Sequence, residues 1–221
     1  LVERQQVTDA IEHIGTNAIP HLLYWIQYEE PRWLLWLLNA ANQKTRIFYF
    51  FSRGLDRIDS AIRAFHCLGP ATDEAIVELA RLANQTKSVE VARRANQALG
   101  ETGRTNALAP LMMALTNAHY EVRASAADSL RGLGKFARPA VPILIRSLKD
   151  KNFIVARSAA SNLGFLKLEP TTAVPQLAEA LEDTYGNIKI YAVQALCYSG
   201  TNSTPSVPAL LELEPATDKY L

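Results

Sequence analysis

The 221 residues include only two cysteines, Cys67 and Cys197, two methionines and four histidines. Two cysteines cannot make a disulfide scaffold, and neither stands in a metal-type pair. His13, His21, His66 and His119 include no two at ligand spacing on one helical turn, so no metal-site motif is present. Gly-x-Ser-x-Gly, a phosphate loop and a dinucleotide fingerprint are all missing, which removes the usual signatures of hydrolases, nucleotide enzymes and dehydrogenases. Long apolar runs are missing too. The longest, WLLWLL and IFYFF, fall far short of the roughly 20 residues that cross a membrane as a helix. No signal-peptide pattern is present, and the compartment stays open. The formal net charge is only +1, so there is no global attraction to polyanions. That charge is unevenly spread: −4 over 1–30, +4 over 31–57, +6 over 58–167 and −5 over 168–221.

What the chain does have is a beat. An apolar residue two places past a proline or its substitute recurs at Leu22, Leu79, Leu111, Leu144, Leu177 and Leu210, with spacings of 57, 32, 33, 33 and 33. A second anchor, in an Ala-Leu-Gly-like phrase, recurs at Phe65, Leu99, Leu130, Leu163 and Leu196, with spacings of 34, 31, 33 and 33. Two independent anchors keeping one period establish repetition. Each unit reads as two helices. The first is alanine-rich with apolar residues at helical spacing, as in Val122, Ala126, Leu130 and Val155, Ala159, Leu163. Gly100, Gly103, Gly134, Gly164 and Gly200 lie near its end, where a left-handed cap favours glycine. Pro142, Pro175 and Pro208 sit in the first turn of the second helix, where a missing N–H costs nothing.

The spacing predicts helices near 55–68, 72–84, 88–100, 106–117, 119–133, 138–149, 152–166, 172–182, 186–199 and 205–213. Two more precede them, near 3–14 and 18–28. Neither helix of a pair can bury its stripe alone. Stacking makes one continuous core, which is the logic of a solenoid.

The phrases Ala140-Val141-Pro142, Ala173-Val174-Pro175 and Val122-Arg123 resemble HEAT repeats, especially the short bacterial HEAT-like type, over about residues 55–211, with a partial unit in HIGTNAIPHLLYWI. The resemblance implies a single all-α domain over 1–221, a right-handed superhelix of about five HEAT/armadillo-like repeats. It also implies second helices lining a concave side, and an arginine near the start of the first helix laddered to neighbouring acids. Asp150 and Asp183 are the expected partners of Arg123 and Arg157. Some HEAT-like enzymes bind iron through His-Glu dipeptides, as deoxyhypusine hydroxylases do; this chain has none. HEAT-like DNA glycosylases use a basic concave face, and phycobilin lyases are built from similar repeats.

The residues expected to look outward from the second helices stand at −1, +2 and +6 from the anchor leucine: His21, Tyr24, Tyr28; Glu78, Arg81, Gln85; Pro110, Met113, Asn117; Ile143, Arg146, Asp150; Gln176, Glu179, Asp183; and finally Ala209, Glu212. The row begins aromatic and ends acidic. With only Arg81 and Arg146 as cations it does not match a phosphate-binding groove, so nucleic acid is disfavoured.

The 57-residue step exceeds one period by about 24 residues, which places an aromatic insert at about 31–54. Nine of the 18 aromatic residues fall between Tyr24 and Phe51, so the insert and its neighbour concentrate the chain's hot-spot residue types. RIFYFF, residues 46–51, reads as extended from its β-branched and aromatic content. The insert is expected to cap the open end of the solenoid, to bind a partner, or both; contact with a membrane surface is the third reading. The expected function is a non-enzymatic scaffold, without cofactor or metal, that binds a protein or peptide. The contact residues are expected at His21, Tyr24, Trp25, Tyr28, Trp33, Trp36, Tyr49, Arg81, Met113, Arg146 and Glu179. The alternative is an enzyme on a HEAT-like scaffold, lyase-like or glycosylase-like.

Overall fold

A computed structural model describes residues 15–29, 46–85 and 87–166, with backbone alone for 46–56. The helices are α1 (Ile19–Gln27), α2 (Arg46–Cys67), α3 (Asp73–Gln85), α4 (Val89–Glu101), α5 (Leu108–Ala114), α6 (Tyr120–Ser129), α7 (Val141–Ser147) and α8 (Phe153–Phe165). Short 3-10 segments lead into α1, α3, α5 and α7. No strand occurs among the described residues. The helices expected near 3–14 and from 172 onward lie outside them, as do Leu177, Leu196, Leu210 and Cys197.

The helices form two layers. First helices α2, α4, α6 and α8 stack side by side, and second helices α1, α3 and α5 stack beside them, with α7 following across the 3-10 segment Leu130–Ala140. The anchors meet between the layers. Phe65, Leu79, Leu99, Leu111, Leu130, Leu144 and Leu163 are all fully buried, while Leu22 in the first unit is half-buried. Alanines set the spacing of the first layer. Ala95, Ala126 and Ala159 are fully buried, and short side chains there let neighbouring backbones approach. Local signals start the helices where expected. The Ser88 hydroxyl accepts from Val91 N–H at 3.3 Å, and Asn152 Oδ1 accepts from Ile154 N–H at 2.9 Å.

Polar side chains bolt one first helix to the next. The Asn96 amide on α4 donates to the Val122 carbonyl (3.2 Å) and to Ser125 Oγ (3.0 Å) on α6. The Asn162 amide on α8 donates to the Ala127 carbonyl at 2.6 Å.

Two expectations need correction. RIFYFF is not extended: Arg46–Phe51 are the first turns of α2, which runs unbroken to Cys67. The overlooked signal is the spacing of Phe48, Phe51, Leu55, Ile58, Ile62 and Phe65, which alternates three and four and so continues the helical stripe upstream. Residue type favoured a strand, but that preference depends on context, and a helix able to extend one apolar face overrides it. The insert therefore loses its second half to a regular first helix. The glycines also divide by role. Gly103 and Gly134 take positive φ (61° and 52°) at the corners between helices, as does Gly69 at 52°. Gly100 and Gly164 do not cap anything; they lie buried inside α4 and α8.

The expected arginine ladder exists at one rung. Arg123 makes a bidentate pair with Asp150, Nε to Oδ2 at 2.7 Å and Nη2 to Oδ1 at 2.8 Å. Its Nη1 also donates to the Asn117 and Ala118 carbonyls. This clamps the turn before α6 to the turn before α8. Asp183, the expected partner of Arg157, lies outside the described residues. Burial pushes the Asp150 carboxyl up. The Arg123 hydrogen bonds and charge and the Asn152 N–H outweigh that and hold it below the usual carboxylate range. A depressed folded pKa means that the pair stabilises the fold above the unfolded value near pH ~3.9 and fades as pH falls through the folded one. Asp150→Asn should therefore cost about 1–3 kcal/mol at neutral pH. In urea melts repeated from pH 7 down to pH 2, the gap between variant and wild type should close at the acid end; a gap that stays constant would contradict the pairing.

Candidate functional site

The outward face of the second helices follows from helix geometry. At about 100° per residue, positions −2 and +2 from a buried anchor each lie about 160° away from it. Positions −1 and +6 flank the helix instead. The structure obeys this. At +2, Tyr24, Arg81, Met113 and Arg146 are all exposed, Tyr24 at 60% and Met113 at 62%. At −1, His21 is exposed but Glu78, Pro110 and Ile143 are half-buried; at +6, Gln85 is exposed but Tyr28, Asn117 and Asp150 are half-buried. The sequence reading thus placed its stripe partly on the flanks. It missed the −2 row: Pro20, Val77, Ala109 and Pro142, exposed on four successive second helices and all apolar. Val77 is 77% exposed.

Charge on this face is sparse. Arg81 folds back on Glu78 of its own helix, with Nη2–Oε1 at 2.6 Å and Nε–Oε2 at 2.8 Å. That hydrogen bond holds the Glu78 carboxyl below its ordinary range. Arg146 has no ion pair among the described residues. Asp150, one turn beyond it, is held by Arg123. Neighbouring helices share this face directly: Asn84 Nδ2 on α3 donates to the Pro110 carbonyl of α5 at 3.3 Å.

The aromatic end splits into two kinds of residue. Tyr24 meets Trp25 edge-on at 5.6 Å, and Trp25 lies 5.4 Å from Tyr28 between ring centroids. Trp25 and Tyr28 are half-buried and pack on the core, with the Arg57 guanidinium of α2 5.2 Å over the Trp25 ring. Buried Arg94 of α4 reaches across to donate to the Tyr28 carbonyl, while its Nε donates to Glu90 at 2.9 Å. A cation at the last carbonyls of a helix is favoured by the helix dipole. Ser88 Oγ also donates to the Glu29 carboxylate just beyond α1. Trp25 and Tyr28 therefore fasten α1 to the solenoid, and Tyr24 is the member of the trio left facing outward. The expectation that Tyr24 and Tyr28 both look outward is therefore corrected for Tyr28. Tyr24→Ala should change stability by less than about 0.5 kcal/mol. Tyr28→Ala should cost about 1 kcal/mol or more through lost packing. Thermal melts of the two single variants check this, and equal losses would refute the division.

Trp33, Trp36 and Glu179 lie outside the described residues, and Tyr49 lies on α2 where the backbone alone is described. Cys67 is half-buried at the end of α2. Among the described residues no group of three His, Cys, Asp or Glu is placed to hold a metal ion. No helix among them is long and apolar enough to cross a membrane.

Comparison with known proteins bears on the repeat. Residues 122–150, which run from the α6 stripe through the Arg123–Asp150 pair, match the family model of the PBS lyase HEAT-like repeat. The described helices fold as a HEAT-like solenoid. Its fold is similar to the complex of CpcE and CpcF of phycocyanin lyase from Nostoc sp. PCC7120, with a TM-score of 0.58 at 17% identity over 81% of this chain and 98% of that one. It is also similar to an engineered protein, with a TM-score of 0.46 at 21% identity over 84% of this chain and 89% of that one. No curated protein matches the sequence. In this HEAT-like frame the matched segment is one whole unit: a first helix, a glycine corner, a second helix and the acid that closes on the first helix's arginine.

Proposed function

We propose that this HEAT-like protein is an interaction scaffold that binds a protein or peptide on its second-helix face, next to the aromatic end. The observation that carries the reading is the outward pair of rows on α1, α3, α5 and α7. They expose Tyr24, Val77 and Met113 well above what packing requires and present little charge. Contiguous exposed apolar surface on a folded domain marks an interaction site, and aromatic residues concentrate at the energetic centre of such sites. The outward rows hold Arg81 and Arg146 as their cations, which gives phosphate backbones little to grip.

A second reading has two supporting observations. The fold likeness and the repeat match both point toward lyase subunits, so a subunit of a bilin lyase is the enzyme alternative. Capture from a native lysate separates the two. Wild type should retain a defined protein set that Tyr24→Ala/Met113→Ala, folded to the same melting temperature, releases. An unchanged set would refute use of this face. Covalent attachment of a bilin to an apo-phycobiliprotein in the presence of the protein would favour the lyase reading instead.

A further inference from the structure

We infer that the second-helix layer hinges between α5 and α7, about the 3-10 segment Leu130–Ala140, while the first helices beside it stay locked. This goes beyond the scaffold reading and does not depend on it. The corners of the solenoid are not alike. Those leading into α3 and α5 carry 3-10 segments of four and three residues, Gly69–Thr72 and Thr105–Ala107. The one leading into α7 has 11. It has taken the place of α-helix. α4 and α8 run past their anchors Leu99 and Leu163, to Glu101 and Phe165, whereas α6 stops at Ser129, before Leu130. Hydrogen bonds of 3-10 type are poorer than α-helical ones, runs beyond about four residues are uncommon, and such a run within a helical chain often marks a hinge.

The segment is fixed at one glycine and open at the next. Gly132 lies against Gly100 of α4, where a Cβ would stand 2.2 Å from the carbonyl oxygen. Two residues on, Gly134 breaks the segment at φ 52° and ψ −129°, a backbone region that glycine adopts and other residues avoid. Nothing lies within 4 Å of a Cβ built there, so rotation at Gly134 starts free of steric contact. Arg131, Lys135, Phe136, Arg138 and Pro139 are exposed, and a thinly covered segment opens at low cost.

The fastenings differ between the layers. On the first-helix side the Asn96 amide of α4 grips the Val122 carbonyl and Ser125 Oγ of α6. On the second-helix side α3 and α5 pack directly, with Asn84 bonded to the Pro110 carbonyl. Arg104, in the corner before α5, also pairs with Asp73 at the start of α3 through two bonds of 3.1 Å. α5 and α7 instead each pack on Leu130–Ala140, and among the described residues no hydrogen bond joins one to the other. The outward rows therefore divide into a braced panel on α3 and α5 and a separate one on α7, and a swing between them changes the curvature of the face.

The test places nitroxide pairs on the full chain, with Cys67 and Cys197 replaced by alanine, and reads their distances by double electron–electron resonance. Met113→Cys/Arg146→Cys spans α5 and α7. Arg81→Cys/Met113→Cys spans α3 and α5, and Gln97→Cys/Asp128→Cys spans α4 and α6. None of these side chains is buried, and melting curves equal to the parent's confirm that each variant is folded. The α5–α7 distribution should be broader than the other two by several ångströms, or show two maxima. Amide deuterium exchange in Leu130–Ala140 should also run roughly tenfold or more faster than in α4. Three equally narrow distributions would overturn the inference. Equal broadening of either control pair would do so too, since the looseness would then be general, as would exchange in the segment as slow as in α4.

Discussion

Leu144→Ala should lower the unfolding free energy by about 2–5 kcal/mol. Leu144 is fully buried on α7, where it joins the continuous core with Leu111 and Leu148. Truncation removes apolar contacts and leaves a cavity that the surrounding leucines cannot fill without moving. In a stacked-repeat protein that loss is felt within the unit and also at its interface with the next. Urea denaturation followed by circular dichroism measures it as a fall in midpoint. Arg146→Ala, two residues away on the opposite side of α7, is the matched comparison and should shift stability by less than about 0.5 kcal/mol. If both variants behaved alike, the assignment of Leu144 inward and Arg146 outward would be wrong, and the outward rows would go with it.

The second large effect is expected at Gly132→Ala. A Cβ at Gly132 would stand 2.2 Å from the Gly100 carbonyl oxygen and 2.7 Å from its carbon. A Cβ at Gly100 would stand 2.6 Å from the Ser129 carbonyl oxygen. These are backbone atoms, so no side chain can swing aside. The end of α4 would have to separate from the corner after α6. Overpacking of this kind costs about 1–3 kcal/mol, and a clash with backbone belongs at the upper end of that range. Gly69 supplies the contrast. Its φ is 52° and nothing lies within 4 Å of its would-be Cβ, so its alanine variant carries only the conformational cost of about 1–2 kcal/mol. Asparagine tolerates that backbone better than alanine does. Gly69→Asn should therefore recover part of the loss, whereas Gly132→Asn should recover none. A rescue at Gly132 would show that its role is conformational and not steric.

The repeat was legible because it is written in the chain many times. A misread residue in one unit is corrected by its counterparts at 33-residue steps, and the seven described anchors from Phe65 to Leu163 proved to be fully buried. The start of α2 was misread because it occurs once. Phe48 and Phe51 look like strand residues by type, and only their spacing to Leu55 and Ile58 marks them as helical. The outward rows were half legible. The +2 residues followed from the anchors, but the −2 residues Pro20, Val77, Ala109 and Pro142 required strict use of the 100° rotation.

By itself the sequence determined the two-helix unit, its period and the residues that meet at its centre. Those depend on hydrophobic spacing along the chain, which survives without knowledge of neighbours. Tertiary structure alone decided how residues of the same type divide. Tyr24 faces outward while Tyr28 fastens α1 to the core. Gly100 is a contact point while Gly103 is a corner. Arg123 is tied to an acid while Arg146 lies exposed with no ion pair among the described residues. Each of these depends on what another helix brings to within a few ångströms, and that proximity is a property of the stacked repeats, not of the local chain.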